Sequence, residues 1–272
     1  MEKKLRKIKK RPRKFRRIFR IFSRFFIFFS LIFLIVFAIR HSILFKIREI
    51  NVLGNSRVKR EEILRAGSLK VGEKFYNISK GERIKVIEKI SYVNDCDLSF
   101  KLGGKVIVKI SERKPYYQIQ KNDFYLIDEN FRILEALKSK SSNLLDIYGV
   151  DIDNLKIGDY IFKGEGDREK VNLLKELKDE KYNLRGNLKS VELLDSISTF
   201  VTIDGIKIHF GSYENIEYKL TTLKLILDDI KNTGKNAESI LMEKGENPIV
   251  VEGGNGQRDI RYREESESST EN

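Results

Sequence analysis

Polar and apolar residues separate sharply at the start of this chain. Residues 1–24 contain thirteen Lys or Arg and a single acidic residue, whereas residues 25–39 contain nothing more polar than one serine. Extended back to Ile18, the apolar segment is long enough to cross a hydrocarbon core about 30 Å thick. The pattern therefore predicts a cytoplasmic basic segment over residues 1–20 and a transmembrane helix over residues 21–41.

A basic flank followed by an apolar span is also how a secretory signal peptide begins. Residues 36–41 read Val-Phe-Ala-Ile-Arg-His and offer no pair of small residues to a signal peptidase, which favours an uncleaved anchor. Because positively charged flanks remain in the cytoplasm, residues after about 42 are expected outside the cytoplasmic membrane. The N-terminal helix would then contact membrane lipid as a single-pass anchor.

Alternating apolar and polar positions predict three strands after the membrane segment. They cover residues 45–52, 97–102 and 105–110, and Gly103-Gly104 between the last two is typical of a tight hairpin turn. Cys96, beside the second strand, is the only cysteine, so this region has no internal disulfide. We interpret Cys96 as a half-buried structural residue.

Between the first strand and the hairpin, helical periodicity predicts two short helices. Ser56 is a candidate cap for the first helix, which Gly67 would end, and residues 79–82 fit a capping box at the start of the second. Pro115 would interrupt the strand ladder after the hairpin. The result is a β-α-α-β-β domain, which we place at residues 43–114.

Residues 115–251 read as a β-rich domain of the α+β class that contains two helices. The final strands are predicted at residues 238–243 and 247–251. Residues 252–272 are mainly Gly, Ser and Glu and are predicted to form a disordered polar tail. The two helical segments, which carry apolar residues at helical spacing, are residues 167–180 and 213–232.

The net charge does not indicate a nucleic-acid-binding protein. The chain is formally +13, but residues 1–24 account for +12 of this charge and the remaining residues for only +1. The basic excess is therefore a signal of membrane topology and lipid headgroups. Nucleic acid is not an expected partner.

Catalytic chemistry also lacks support in the sequence. A Cys-His pair would need Cys96 beside His41 or His209, which lie at the membrane boundary and within a strand pattern. No spacing typical of a metal site occurs, and the Gly-rich segments lack the lysine and the strand-to-helix context of a phosphate-binding loop. We predict no enzyme activity, no metal and no cofactor.

Several residue runs resemble the FtsQ/DivIB family of bacterial cell-division proteins. The order of elements resembles the POTRA domain of this family, and the family hairpins and following helix have counterparts further along the chain. The resemblance extends over residues 1–251, and its most specific runs are Val52-Leu53-Gly54-Asn55 and Val108-Lys109-Ile110-Ser111-Glu112-Arg113-Lys114-Pro115.

The resemblance implies a noncatalytic scaffold of the divisome, located at the septum. Such proteins bind the small division proteins FtsL and FtsB/DivIC and help to control septal cell-wall synthesis. In the family the last strands carry this contact. Pro248, which has no N–H to donate, suits a strand start or a sheet edge. The candidate partner-binding residues are Asn247, Pro248, Ile249, Val250 and Val251.

Three alternatives remain open from the sequence. In the first, the terminal strand is an exposed edge that proline protects against aggregation, and the partner contact lies elsewhere. In the second, the chain is a membrane-anchored cell-wall enzyme or an accessory of one. In the third, the chain is a POTRA protein of export or outer-membrane assembly, although the sequence shows neither repeated POTRA units nor the long alternating pattern of a β-barrel.

Overall fold

The structure, a computed structural model, describes residues 13–41, 45–101, 103–243 and 247–253. Helix α1 spans Arg13–His41. Its segment Phe19–Ala38 has a mean hydropathy of 2.5 and is not buried by any other residue that the structure describes. By length and composition this segment fits a single membrane span, and the helix continues into the basic residues because Lys and Arg are good helix formers.

Beyond α1, the described chain divides into two compact units between Glu112 and Arg113. The domain bounds predicted from the sequence remain predictions. The first unit contains β1 (Glu49–Leu53), α2 (Arg60–Ala66), a 3-10 turn (Phe75–Asn77), α3 (Lys80–Ile87), β2 (Val93–Lys101) and β3 (Lys105–Glu112). This is the predicted β-α-α-β-β order.

The sheet of the first unit has the order β1-β3-β2, with β1 parallel to β3 and β2 antiparallel to it. Alternate strand residues face the two helices and form the core. Gly67 allows the helices to approach, since a Cβ at this position would lie 2.9 Å from Cδ1 of Ile87. Core side chains from each element include Ile50, Ile63, Ile87, Leu98 and Val108.

Three local predictions for the first unit are wrong. Cys96 is buried rather than half-buried, because it lies opposite Ile110 on the face that the helices cover. Ser56 does not cap α2, whose cap position is Lys59. Ser79 does occupy the cap position of α3, but its side chain makes no capping hydrogen bond, so the predicted capping box is not formed.

The second unit is built on one nine-stranded sheet with the order β12-β11-β10-β9-β8-β7-β4-β5-β6. Its strands are β4 (Pro115–Gln120), β5 (Phe124–Asp128), β6 (Ile133–Leu137), β7 (Leu145–Tyr148), β8 (Leu188–Leu193), β9 (Thr199–Ile203), β10 (Ile206–His209), β11 (Ala237–Leu241) and β12 (Ile249–Glu252). Its helices are α4 (Arg168–Glu176) and α5 (Ile216–Thr233), with 3-10 turns at Glu165–Asp167 and Glu180–Tyr182. The predicted α+β class is confirmed.

Helix α5 is the crossover that places the final strands. It connects β10 to β11, which are parallel neighbours, and β12 then returns antiparallel to β11. The apolar stripe of α5 packs on the sheet, with Leu220 and Leu223 fully buried against a core that includes Val201, Ile208 and Ile240. The crossover therefore leaves β12 at the edge of the sheet.

Candidate functional site

Strand β12 is the edge of the nine-stranded sheet next to α5. Its residues pair on one side with β11, in the register Ile249 to Leu241, Val250 to Ile240 and Val251 to Ser239. In the part of the chain that the structure describes, no strand pairs with its other side.

The structure brings the five predicted binding residues together at this edge. Asn247 and Pro248 directly precede the strand, so the proline lies before the ladder and does not interrupt it. Ile249, Val250 and Val251 belong to the strand and expose 46%, 36% and 37% of their surfaces. Three adjacent exposed aliphatic residues are unusual on a solvated edge.

Strand β12 extends one residue beyond its predicted end. Glu252 is paired with Ala237, although the sequence places it in the polar tail, and the Gly253 N–H donates to the Asn236 carbonyl at 2.9 Å. The tail residues 254–272 lie outside the described residues.

The direction of the Gly253 N–H also indicates which backbone groups of β12 face outward. In an antiparallel pair, successive residues direct their N–H and C=O groups alternately toward the neighbour and away from it. Because the Gly253 N–H points to β11, Val250 and Glu252 direct their groups away from the sheet. The free side of this edge thus offers the donors and acceptors of two residues.

The side chains of β12 are divided between the two faces of the sheet. Val250 lies on the α5 side, where it lines a groove of about 290 Å³ that α5 forms with the strand. Ile249 and Val251 point to the opposite face, beside Leu241 and Ser239. The other residues that line the groove are Thr222, Leu225, Ile226, Asp229, Ile230, Lys235 and Glu252.

A buried lysine fixes α5 beside this edge. Lys219 exposes 8% of its surface, and its ammonium group donates to the carbonyls of Phe210 and Ser212 at 3.1 and 2.7 Å. Burial lowers the pKa of Lys219, while Glu214 opposes this shift. The sequence analysis missed this role, and the only available signal was a lysine within an otherwise apolar helix face.

The Glu112-Arg113 pair in the family-like run has two structural roles. One carboxylate oxygen of Glu112 accepts hydrogen bonds from the backbone N–H groups of Ser56 and Val58, both at 2.8 Å, and the Arg57 N–H is shared by its two oxygens. The Arg113 guanidinium lies 2.7 Å from Asp128 in a buried ion pair of the second unit. Both residues organise loops and need no ligand to explain them.

No catalytic constellation is present among the described residues. They contain no group of three or more His, Cys, Asp or Glu that could hold a metal ion. Cys96 is buried, and burial together with the nearby carboxylates raises its thiol pKa to about 11. His209 packs edge-on against Phe200 at 4.9 Å within the sheet of the other unit. A nucleophilic role for either residue has no geometric support.

Comparison with known proteins matches both units in order. The model of the POTRA domain, FtsQ-type, matches residues 45–113, and that of the cell division protein FtsQ/DivIB C-terminal domain matches residues 116–242.

Curated relatives match across most of the chain. The cell division protein DivIB of Clostridium botulinum (strain Hall) is 27% identical over 214 residues, which cover 75% of this chain and 81% of the relative. DivIB of Clostridium tetani is 27% identical over 78% of this chain and 76% of the relative. FtsQ of Syntrophotalea carbinolica is 24% identical over 69% of this chain and 67% of the relative. The chain belongs to the FtsQ/DivIB family of cell-division proteins, which are noncatalytic, and the anchored cell-wall enzyme is therefore excluded.

Proposed function

We propose that this protein is a bitopic scaffold of the divisome that binds FtsL-like and FtsB/DivIC-like proteins at the septum and regulates cell-wall synthesis there. The basic N-terminus lies in the cytoplasm, α1 crosses the membrane, and both folded units lie outside. The family membership and the apolar helix support an anchored division protein. The partner contact is assigned to the free edge of β12.

The observation that carries this assignment is the combination of open backbone groups and exposed aliphatic side chains in one strand. A partner strand gains affinity from main-chain hydrogen bonds and selectivity from alternate side chains. On β12, Val250 and Glu252 supply the outward backbone groups. Val250 offers its side chain on the groove side, and Ile249 and Val251 offer theirs on the opposite face.

An edge that serves only to prevent aggregation would have other features. Such edges typically carry a lysine, an inward-pointing charge or a proline within the strand. Strand β12 has three exposed aliphatic residues in succession, Pro248 lies before it, and its one charged residue, Glu252, is the last residue of the strand. These features favour a docking edge over a protected one.

Replacing Val250 by proline tests the assignment at one backbone group. Val250→Pro removes the outward N–H but leaves the residues that pair with β11. We expect partner affinity to fall at least about tenfold, because the complex loses roughly one hydrogen bond and leaves the acceptor on the partner unpaired. Affinity is measured with the full chain in nanodiscs and the extracytoplasmic segments of FtsL-like and FtsB/DivIC-like proteins. The matched control is Val250→Ala, which shortens the side chain and retains the N–H.

Two further measurements complete this test. Hydrogen exchange of β11 must show that the β11–β12 pairing persists in Val250→Pro. Truncation after residue 253 should leave binding intact, whereas truncation after residue 246 should abolish it. If Val250→Pro binds as tightly as Val250→Ala, or if partners still bind without β12, the contact lies elsewhere on the protein.

A further inference from the structure

The two folded units carry opposite net charges. Residues 45–112 contain fifteen Lys or Arg and nine Asp or Glu, whereas residues 113–253 contain twenty-one basic and twenty-five acidic residues. The near-neutral exported region is thus a basic unit followed by an acidic one. The basic unit is the one that directly follows the membrane helix in the sequence.

Much of the excess lies at the end of the first unit where the chain arrives from the membrane. We call this surface the basic end. It also carries two acidic residues, and both are engaged: Glu49 with Lys105 at 3.4 Å and Glu73 with Arg83 at 3.8 Å. Its basic residues are Lys46, Arg48, Lys70, Lys74, Lys101 and Lys105, all exposed or partly exposed.

Backbone hydrogen bonds hold three separate chain segments together at the basic end. The Ile47 N–H donates to the Glu73 carbonyl at 2.8 Å, and the Gly72 N–H donates to the Ile47 carbonyl at 2.7 Å. The Arg48 N–H donates to the Gly104 carbonyl at 2.7 Å. The arriving strand, the turn at residues 70–74 and the β2–β3 turn therefore form one surface.

Two further features suit this surface to a membrane interface. At its tip, Val71 exposes 64% of its surface beside Gly72, which has a φ of +90°. Behind it, Phe75 contacts Phe45 and Phe100, with ring centroids 5.3 and 5.6 Å apart, and this cluster supports the turn. An apolar tip surrounded by lysines is the pattern of residues that insert among headgroups.

The covalent chain keeps the basic end close to the bilayer. Residues 42–44 separate α1 from Phe45, and a chain spans at most about 3.6 Å per residue, so Phe45 lies within roughly 14 Å of the end of the helix. Headgroups extend several ångströms beyond the hydrocarbon, and charges interact over a Debye length of about 8 Å. Anionic headgroups are therefore within reach of this surface.

We propose that the basic end docks on the anionic phospholipid headgroups of the outer leaflet and thereby fixes the first unit against the membrane. The inference rests on the membrane anchoring in the proposed function and is independent of the β12 contact. Phosphate groups are the negative charges that this membrane offers at that distance. Each Lys or Arg near an anionic surface contributes about a fivefold gain in the ratio of docked to undocked states.

The test places a fluorescent probe at the tip of the basic end. Val71→Cys in the full chain is labelled with an environment-sensitive dye, while native Cys96 stays unlabelled because it is buried. The protein is reconstituted in nanodiscs of phosphatidylcholine alone or with one-third phosphatidylglycerol. We expect a blue-shifted emission, quenched by lipids with spin-labelled headgroups, in the anionic discs and its reversal at high salt.

Charge reversal identifies the residues responsible. Lys70→Glu, Lys101→Glu and Lys105→Glu together should lower the docked-to-undocked ratio at least about 100-fold. The matched control reverses three exposed lysines of the same unit that lie away from this end, Lys59, Lys85 and Lys109. It has the same net charge and should retain most of the docking.

Each remaining outcome contradicts the proposal. These outcomes are a probe that stays in water on anionic discs, equal docking on both lipid compositions, and equal losses in the two triple variants. Tighter binding of soluble polyglycerol phosphate than of the discs would assign the surface to a wall polymer. A chain that does not co-elute with discs would contradict the anchoring, whereas one that co-elutes and binds partners without docking would contradict this inference alone.

Discussion

Glu112 shows how one side chain can determine a loop far away in sequence. Burial raises its carboxyl pKa, but hydrogen bonds from the N–H groups of Arg57, Val58 and Ser56 outweigh this effect, and the pKa is lowered overall. A carboxyl group with a lowered pKa in the folded state stabilises the protein above its unfolded pKa of about 4.3 and loses this contribution as the pH falls further.

We therefore expect Glu112→Ala to destabilise the first unit by about 1–3 kcal/mol, because three backbone donors lose a charged acceptor. Below about pH 4.3 the free energy of unfolding should decrease less steeply with falling pH in Glu112→Gln than in the wild type, because glutamine does not titrate. Domain-resolved hydrogen exchange of the full chain during urea unfolding measures both effects. Asp95→Asn, at an exposed position of β2, is the control. Equal effects of Glu112→Gln and Asp95→Asn would contradict the role assigned to Glu112.

At the residue scale, the sequence showed which residues mark the family but not which interactions these residues make. The run that contains Glu112 and Arg113 was a marker of the family, but its chemistry depends on partners 54–56 and 15 residues away. Ser56 was assigned a capping role on local grounds, and the structure gives its N–H to Glu112 instead. Local patterns cannot show such long-range hydrogen bonds, because they depend on which strands become neighbours.

At the element scale, the order of helices and strands was predictable because hydrophobic periodicity survives in short segments. The β2–β3 hairpin was placed correctly by Gly103-Gly104, both of which have positive φ. Helix bounds were less accurate: the predicted helix at 167–180 ends at Glu176, before a separate 3-10 turn. The position of β12 at the edge follows from the α5 crossover, which no local pattern specifies.

Lys219 makes α5 a fixed wall of the groove beside β12. Lys219→Met should retain helix propensity and apolar contacts but leave the Phe210 and Ser212 carbonyls without their donor, lowering the free energy of unfolding of the second unit by about 1–3 kcal/mol. Hydrogen exchange of α5 and β11 measures this change. Lys231→Met, at an exposed position of the same helix, should have little effect; similar values for the two variants would contradict the assigned role.

At the scale of the whole molecule, the distribution of charge predicts topology. Residues 1–24, which lead into the apolar segment of α1, carry +12 of the formal net charge of +13, and this asymmetry predicts that the N-terminus lies in the cytoplasm. Protease added to intact wall-less cells should therefore degrade the chain after about residue 42 and leave the basic N-terminal segment protected. Mass spectrometry of the protected fragment measures this, and a protected C-terminal unit would contradict the orientation.

The shortness of β12 has a consequence for assembly. An edge on which two residues face outward offers at most four main-chain hydrogen bonds, and at about 1 kcal/mol each they correspond to a dissociation constant of roughly 1 mM. A strand that binds there would have a short residence time in solution. Two proteins confined to one bilayer, however, meet at a high effective concentration. Co-anchoring would then supply avidity that the edge lacks, and the complex would dissociate readily once a partner leaves the membrane.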